Sequence, residues 1–455
     1  MTDQVSVDLT HDSRPVNDGL LGLVWNTGSD LSALAPIHPP TVRIDASLQD
    51  ASPAPGQLDL TNLLAKVAKV RAIGAEPLVI LSYMPRWLGQ ARAGTGDPTR
   101  FGPSDLDTWE SLVTQVVRTL ATAPEPAYQF EVWNEPDIFI FWGDTQQEFI
   151  DMALRTHRAV ATVKRETGLP LQIGGPAFGF SNSNPDAFVP YLQAVAQAGL
   201  PLDFISWHKY ANSPFLGPDG PEGNLPDSLY QLLAKRNPDT TPLQYSSEIA
   251  QMRATFDSAL QGTGLHPRLI IDEWNVSAGG YDLRNDTSEG AALDAGILVE
   301  MERAGLDGAN IYRAVSGNTH AGDWGIVSAS GTPKPTWWVF RAWRDMTGSL
   351  LGTQGDDAAT GLWARASRDH RDGCVKVLLA NFIATGSPAR NVRVSLRGKL
   401  IPCAGRPFSP HATLSVLNGT STTLAAHEIA VGRDQSVTVP MGSQSVAYLQ
   451  VGCTR

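Results

Sequence analysis

Two glutamates stand at the ends of apolar, aromatic runs: Glu135 in FEVWNEPDIF (130–139) and Glu273 in RLIIDEW (268–274). An ionised carboxylate is expensive to bury unless it is paired or hydrogen-bonded, so a carboxylate where a strand leaves the core marks an uncommon environment. The two lie far apart in sequence (273 − 135 = 138) and act together only if a fold brings their strand ends face to face. Two facing carboxylates flanked by aromatic rings can cleave a glycosidic bond. One is protonated and donates to the leaving oxygen, while the other is ionised and attacks the anomeric carbon or activates water. Glu135 suits the acid role: Phe130, Trp133 and Phe139 are expected to desolvate it and raise its pKa, and Pro136 keeps the backbone extended. Glu273 is expected to be the ionised partner, with Arg43 and the hydroxyl of Tyr210 as donors that keep it so. Asn134 can bind a hydroxyl beside the anomeric centre. Strand alternation sends Asn134 and Glu135 to opposite faces, so the pair requires a bulge or an immediate strand exit.

The elements that must position these residues read as eight short apolar runs. They are LLGLVW (20–25), TVRIDA (41–46), EPLVILSY (76–83), YQFEVW (128–133), LQIGG (171–175), LDFISWH (202–208), RLIIDEW (268–274) and GANIYRA (308–314). Helical patterns separate most of them. After Ser104, expected as a cap with Asp107 three positions on, apolar residues fall at Leu106, Trp109, Leu112, Val113, Val116, Val117 and Leu120. Leu293, Ile297, Leu298 and Met301 repeat the spacing, and Gly305 follows as a stop signal. Eight alternating strand–helix units predict an α/β fold, a closed (β/α)8 TIM barrel, whose chemistry sits at the C-terminal strand ends. An open doubly wound sheet is the alternative, weakened by the absence of a G-x-G-x-x-G or G-x-x-x-x-G-K-[ST] loop. The strand ends carry Trp25, Arg43, Tyr83, Asn134, Glu135, His208, Tyr210, Glu273, Trp274 and Arg313. Aromatic rings there can stack on sugar faces. No G-x-S-x-G or H-E-x-x-H pattern occurs, so neither a serine nucleophile nor a metal centre is expected, and no cofactor is implied.

From Gly348 onward the texture becomes short alternating runs separated by Gly, Pro and Ser, such as CVKVLLANF, NVRVSL and SVAYLQV. This predicts a C-terminal β-sandwich. The expected division is a barrel over 16–347, the sandwich over 348–455 and an N-terminal segment, 1–15, whose VSVDL alternates and can pair with the sandwich. The balance of 35 Lys+Arg against 46 Asp+Glu gives a net charge of −11, which argues against nucleic acid or anionic lipid as a partner. No run is long enough for a membrane helix, and MTDQVSVDLTHDSR lacks the basic and apolar regions of a signal peptide. A soluble protein is expected, cytoplasmic or secreted with its signal removed. The three cysteines, Cys374, Cys403 and Cys453, allow at most one bridge, and at least one is expected as a packed thiol.

VWNEP (132–136) and IIDEWN (270–275) resemble the acid/base and nucleophile segments of the clan of (β/α)8 retaining glycoside hydrolases. FISWHKY (204–210) and DWGIVSASGTPKP (323–335), which contains Trp324, resemble the sixth and eighth strand regions of glycoside hydrolase family 39. That family includes β-xylosidases and α-L-iduronidases. The resemblance implies Glu135 as acid/base, Glu273 as nucleophile, and Asn134 and His208 as substrate-binding neighbours. Trp324 joins the candidate substrate contacts. It further implies an oligosaccharide or polysaccharide substrate, with β-xylosidase-like exo action as the first expectation and endo action or another glycone as alternatives. The sequence departs from the family at Lys209, where a small hydroxyl residue is common between His and Tyr, and at Ile44 and Asp45 after the second-strand Arg. Lys209 and Arg313 add positive charge near the mouth; surface ion pairing is the first expectation for either residue, and a partly acidic substrate such as a uronide is the alternative.

Overall fold

The computed structural model describes residues 2–90, 96–179, 184–212, 241–279, 282–371, 373–398, 400, 411–419 and 424–452. Strand β1 (Thr2–Pro15) belongs to the C-terminal sheet, and the next eight strands form the barrel. These are β2 (Gly22–Val24), β3 (Thr41–Asp45), β4 (Glu76–Leu81), β5 (Gln129–Val132), β6 (Gln172–Phe178), β7 (Phe204–Asn212), β8 (Arg268–Ser277) and β9 (Gly308–Ile311). They pair in parallel in chain order and close through β2 on β9, where Gly22 pairs with Asn310 and Leu23 with Ile311. Each corresponds to one of the eight apolar runs. Parallel barrel strands are covered on both faces, which is why the runs are continuous rather than alternating.

Seven helices fill the outer layer among the described residues: α1 (Thr61–Ala72), α2 (Leu106–Ala121), α3 (Gln146–Thr167), α4 (Val189–Gln197), α5 (Pro242–Ala259), α6 (Ser288–Arg303) and α7 (Pro335–Asp345). The crossover from β2 to β3 is instead a short 3-10 turn, Ser32–Ile37, with Pro36 inside it. On α2 the residues Trp109, Leu112, Val113, Val116, Val117 and Leu120 are buried at helical spacing. Its cap is Asp105, one residue later than the expected Ser104. The Asp105 carboxylate accepts from Thr108 N at 2.7 Å, satisfying a donor that the first turn leaves open.

Bulges shape the barrel rim where the chemistry must sit. Between β6 and β7 the register slips between Pro176 and Phe178, and Ala177 has φ +56°. Between β7 and β8, Trp207 pairs with Ile271 but His208 pairs with Glu273, so Asp272 is an extra residue. An extra residue lets two consecutive side chains depart from strict alternation.

The C-terminal part is one continuous nine-stranded sheet rather than two separately hydrogen-bonded layers. It contains β1, β10 (Ser349–Gln354), β11 (Leu362–Arg368), β12 (Val375–Asn381), β13 (Arg390–Arg397), β14 (His411–Leu417), β15 (Ala426–Ala430), β16 (Ser436–Met441) and β17 (Ser445–Val451). Pairing is antiparallel except that β1 runs parallel to β13. Its own core gathers Val5, Val7, Leu362, Val377, Val392, Leu414, Val437 and Leu449. The N-terminal alternation VSVDL is therefore read by this sheet and not by the barrel. The sheet docks on α6, where Arg365 Nε and Nη2 donate to both Glu302 oxygens at 2.8 and 3.0 Å, with the guanidinium 3.9 Å from the Trp343 ring centre. Cys374 is disulfide-bonded, within the single bridge that three cysteines allow, while Cys403 and Cys453 lie outside the described residues. No helix among the described residues is long and apolar enough to cross a membrane.

Candidate active site

Arg43, at the centre of β3, is fully buried and ties three strands, β3, β5 and β8, together. Its Nε donates to Glu131 Oε2 at 2.6 Å and lies 3.0 Å from Asp272 Oδ2. Its Nη1 donates to Glu273 Oε1 at 2.7 Å, and its Nη2 donates to Asn134 Oδ1 at 2.9 Å. Such a guanidinium is stable inside a barrel only because carboxylates surround it. Those neighbours hold it charged even though burial opposes the charge. Tyr210 OH donates to the other Glu273 oxygen at 2.8 Å. Both oxygens of Glu273 thus face donors, one of which can never accept, so the hydrogen bonds suit a carboxylate. Burial pushes the Glu273 carboxyl above its ordinary value, and the nearby His208 and Arg43 oppose that push.

The strand-exit problem at Asn134–Glu135 is resolved by backbone conformation. Strand β5 ends at Val132, and both Trp133 (φ +63°) and Glu135 (φ +47°) take the left-handed region that ordinary side chains rarely adopt. Glu135 N donates to Ala177 O at 3.0 Å, which stitches this exit to the bulge of β6. The conformation turns Asn134 and Glu135 into one cavity. Strain of this kind persists where packing over-determines it. Trp133 supplies that packing, fully buried against Trp109, Trp142 and Tyr83, with its Nε1 donating to Phe141 O at 3.1 Å.

His208, inward on β7 and fully buried, lies between the two glutamates. Its Nδ1 is 2.7 Å from Glu135 Oε1 and 3.5 Å from Glu273 Oε2, and its Nε2 is 3.6 Å from Asp272 Oδ2. Burial alone would favour neutral imidazole. Glu273, Asp272 and Glu135 outweigh it and hold the ring's pKa well above the usual histidine value. One acceptor atom each from Glu135, His208 and Glu273 lie within 4.8 Å of one another. This spacing would also suit a metal ion, but a charged His208 and the Arg43 guanidinium on Glu273 make a poor cation site. Beneath this layer Glu131 accepts from Ser206 Oγ at 2.7 Å, and burial pushes its carboxyl up to about 8. Asp272 is held below the ordinary carboxylate value. Burial pushes it up, but Arg43 and His208 together prevail.

Above them is a cavity of about 330 Å³. Trp25, Asp45, Tyr83, Asn134, Glu135, Tyr210, Glu273, Tyr312 and Trp324 are on its wall, together with Arg43 and the apolar Ile138, Ile140 and Phe141. Burial pushes the Asp45 carboxyl up to about 6.

The sequence model of glycosyl hydrolases family 39 matches residues 55–226. A β-xylosidase of Geobacillus stearothermophilus is 26% identical over 338 residues, covering 69% of this chain and 59% of that protein. A β-xylosidase of Caldicellulosiruptor saccharolyticus is 23% identical over 349 residues, covering 72% of this chain and 64% of that protein. These matches support glycoside hydrolase family 39 as the family that this chain resembles. The chain spans less than two thirds of the length of these two relatives. Its fold is that of a monomeric β-xylosidase from Caulobacter crescentus, with a TM-score of 0.75 at 18% identity and all of both chains covered.

The barrel gathers most of the residues singled out from sequence, but not all. Trp25, Arg43, Tyr83, Asn134, Glu135, Tyr210, Glu273 and Trp324 reach the cavity wall, and His208 sits just behind it. Trp274 does not reach the cavity. It faces outward from β8 and stacks on Phe340 of α7, with ring centres 6.3 Å apart. Lys209 likewise faces outward, where its Nζ pairs with Glu248 of α5 at 2.5 Å and lies over the Tyr245 ring. Arg313 flanks the cavity beside Trp324 and Tyr312, but its Nη2 is held by both oxygens of Asp323 at 3.0 and 2.9 Å. Both cations are thus ion-paired, as the first expectation for them had it, and their charge is neutralised inside the fold. Phe139, expected to desolvate Glu135, is 69% exposed. Sequence reasoning missed Glu131, Asp272 and Tyr312. The first two are carboxylates inside apolar runs, a signal as strong as that of Glu135.

Proposed function

We propose that this chain is a retaining glycoside hydrolase with β-xylosidase-like exo action, in which Glu273 is the nucleophile and Glu135 the acid/base. The observation that carries the reading is the approach of the Glu135 and Glu273 oxygens to within 4.8 Å. A separation of about 5–5.5 Å leaves room for a covalent glycosyl-enzyme, whereas about 6.5–9.5 Å is needed to lodge a water for inversion. In the first step a Glu273 oxygen bonds to the anomeric carbon as the glycosidic C–O bond breaks, and Glu135 gives its proton to the departing oxygen. In the second step Glu135 takes a proton from water, the water oxygen bonds to the anomeric carbon, and the ester to Glu273 breaks. Arg43 and Tyr210 hold Glu273 for attack. Asn134, itself fixed by Arg43, is available to a ring hydroxyl.

The relatives described as β-xylosidases favour a xyloside. A cavity of about 330 Å³ favours a short glycone, since ligand pockets run from roughly 300 to 1,000 Å³. A neutral sugar fits better than a uronide, because Lys209 and Arg313 are both spent on internal carboxylates. The test is incubation with 2-fluoro glycosides followed by intact-mass and peptide mapping. The expected result is one adduct on Glu273, formed fastest with the xylosyl reagent. An adduct on another residue would reverse the roles, and hydrolysis without any adduct would point to inversion.

A further inference from the structure

The loop that follows Glu135 carries an apolar surface that the catalytic steps do not use. Ile138 N donates to Glu135 O at 3.0 Å, and Phe141 N and Trp142 N donate back to Ile138 O at 2.9 and 3.0 Å, so the chain coils over its own acid/base residue. Arg100 clamps the loop from outside: its Nη1 donates to Ile140 O at 3.2 Å, and its O accepts from Gly143 N at 2.7 Å. Phe141 stacks on Tyr83 with ring centres 6.4 Å apart and planes 18° apart. The segment is therefore firmly held, yet it presents Phe139 at 69% exposure and Ile140 at 38%. Ile138, Ile140 and Phe141 line the cavity with Glu135, and the exposed Phe139 lies between Ile138 and Ile140 in the chain, with the Arg100 guanidinium 5.8 Å from its ring centre. A methyl group placed on Gly179 would touch both Ile138 Cδ1 and Glu135 Oε1, which puts the apolar wall directly beside the acid/base carboxyl. Folding gains nothing from holding a large aromatic ring in water.

We infer that Phe139 and Ile140 form the platform for the leaving group, and that the enzyme is built for substrates whose aglycone presents a flat apolar face. The inference rests on the glycosidase reading, because the residue that protonates the leaving oxygen fixes the aglycone side of the site. With Glu135 as that residue, the departing group must lie along its solvent side, where Ile138 and Ile140 continue the wall and the exposed Phe139 adjoins them in the chain. An aryl ring or the C–H face of a second pyranose supplies the same chemistry and stacks on Phe139.

The test compares the intact protein with its Phe139→Ser and Ile140→Ser variants on phenyl β-xyloside, xylobiose and methyl β-xyloside. Each substrate is compared with itself across proteins, so leaving-group chemistry cancels. The expected result is a fall in kcat/KM of about three- to tenfold for a stacked aglycone, a typical aromatic contact, against a smaller fall for the methyl glycoside. Phe139→Tyr should restore the difference. A loss confined to phenyl xyloside assigns the platform to aryl aglycones, and a loss confined to xylobiose assigns it to a sugar. Equal loss on all three substrates, or none, overturns the inference while leaving the glycosidase reading standing. Failure of the unaltered protein to turn over any of the three overturns both.

Discussion

Replacing Tyr210 by Phe removes one hydroxyl and keeps the ring. The ring packs edge-on against Tyr312, with centres 6.5 Å apart and planes 71° apart, so the barrel rim should hold its shape. What is lost is the bond from Tyr210 OH to Glu273 Oε2 at 2.8 Å. A hydrogen bond to a charged group is worth roughly 1.5–3 kcal/mol, and one pKa unit corresponds to about 1.4 kcal/mol. Tyr210 stabilises the ionised form only, so its removal should raise the Glu273 pKa by about one to two units. Burial already pushes this carboxyl up, against His208 and Arg43, so the variant moves further in the same direction. As the proposed nucleophile, Glu273 must be ionised to attack, and the acid limb of kcat/KM should therefore shift to higher pH by that amount. Below the limb the rate falls by about ten- to a hundredfold, and the loss shrinks as pH rises. The assay is a pH profile of aryl xyloside hydrolysis, together with the pH dependence of inactivation by a 2-fluoro xyloside, which reads the attack of Glu273 alone. An acid limb at the same pH in parent and variant would refute the reasoning, as would a shift to lower pH.

Gly179→Ala places a methyl group 2.7 Å from Glu135 Oε1, the atom that contacts His208, so kcat/KM should fall by about tenfold or more with little change in melting temperature. Unchanged kinetics would mean that Glu135 has room to spare. Arg365→Met strips the buried Glu302 carboxylate of its partner between sheet and barrel and should cost about 3–5 kcal/mol in urea unfolding. Pairing it with Glu302→Leu should recover much of that loss. Asp294 is fully buried against Thr336, and burial pushes its carboxyl up to about 7. The native state therefore binds the extra proton between the unfolded value, about 3.9, and that pH, so stability falls as pH rises through the window. Between pH 5 and 8 the parent should lose roughly 3 kcal/mol more than Asp294→Asn, measured by chemical denaturation at both pH values.

The barrel was legible because a parallel strand covered on both faces leaves a compact mark: four to eight apolar residues between helical patterns. The placement of single side chains was legible only where alternation was applied. His208 and Tyr210 point inward, so Lys209 between them must point outward, and the same parity removes Trp274 from the mouth beside Glu273. The bulge at Asp272 and the left-handed residues Trp133 and Glu135 carried no such mark. Glycine advertises a positive φ, whereas these side chains adopt it only under the force of tertiary packing. Glu131 and Asp272 did carry a mark, a carboxylate inside an apolar run, but their role was hidden for a related reason. A carboxylate inside an apolar run makes sense only once a third strand supplies Arg43, and that meeting is a property of the closed barrel. The alternating runs after Gly348 announced strands but not their pairing, and they close into one sheet because β1 bridges β10 and β13.

The buried groups of the site form a charge balance that fits the proposed double displacement. Burial holds a proton on Glu131 at neutral pH, with a value of about 8. Arg43 and His208 then face Asp272 and Glu273, two cations against two anions. When Glu273 becomes an ester it loses its charge, and Glu135, having given up its proton, gains one. The net charge inside the barrel is unchanged, and only its position moves, from Glu273 to Glu135. His208 Nδ1 lies 2.7 Å from one of these carboxyls and 3.5 Å from the other, so a single fixed cation serves the anion in both halves of the cycle. Asp272 on the far side of the ring helps keep that cation charged without competing for the sugar. A site arranged in this way avoids moving a dipole or admitting water to follow the charge, which is the condition under which buried electrostatics speed a reaction.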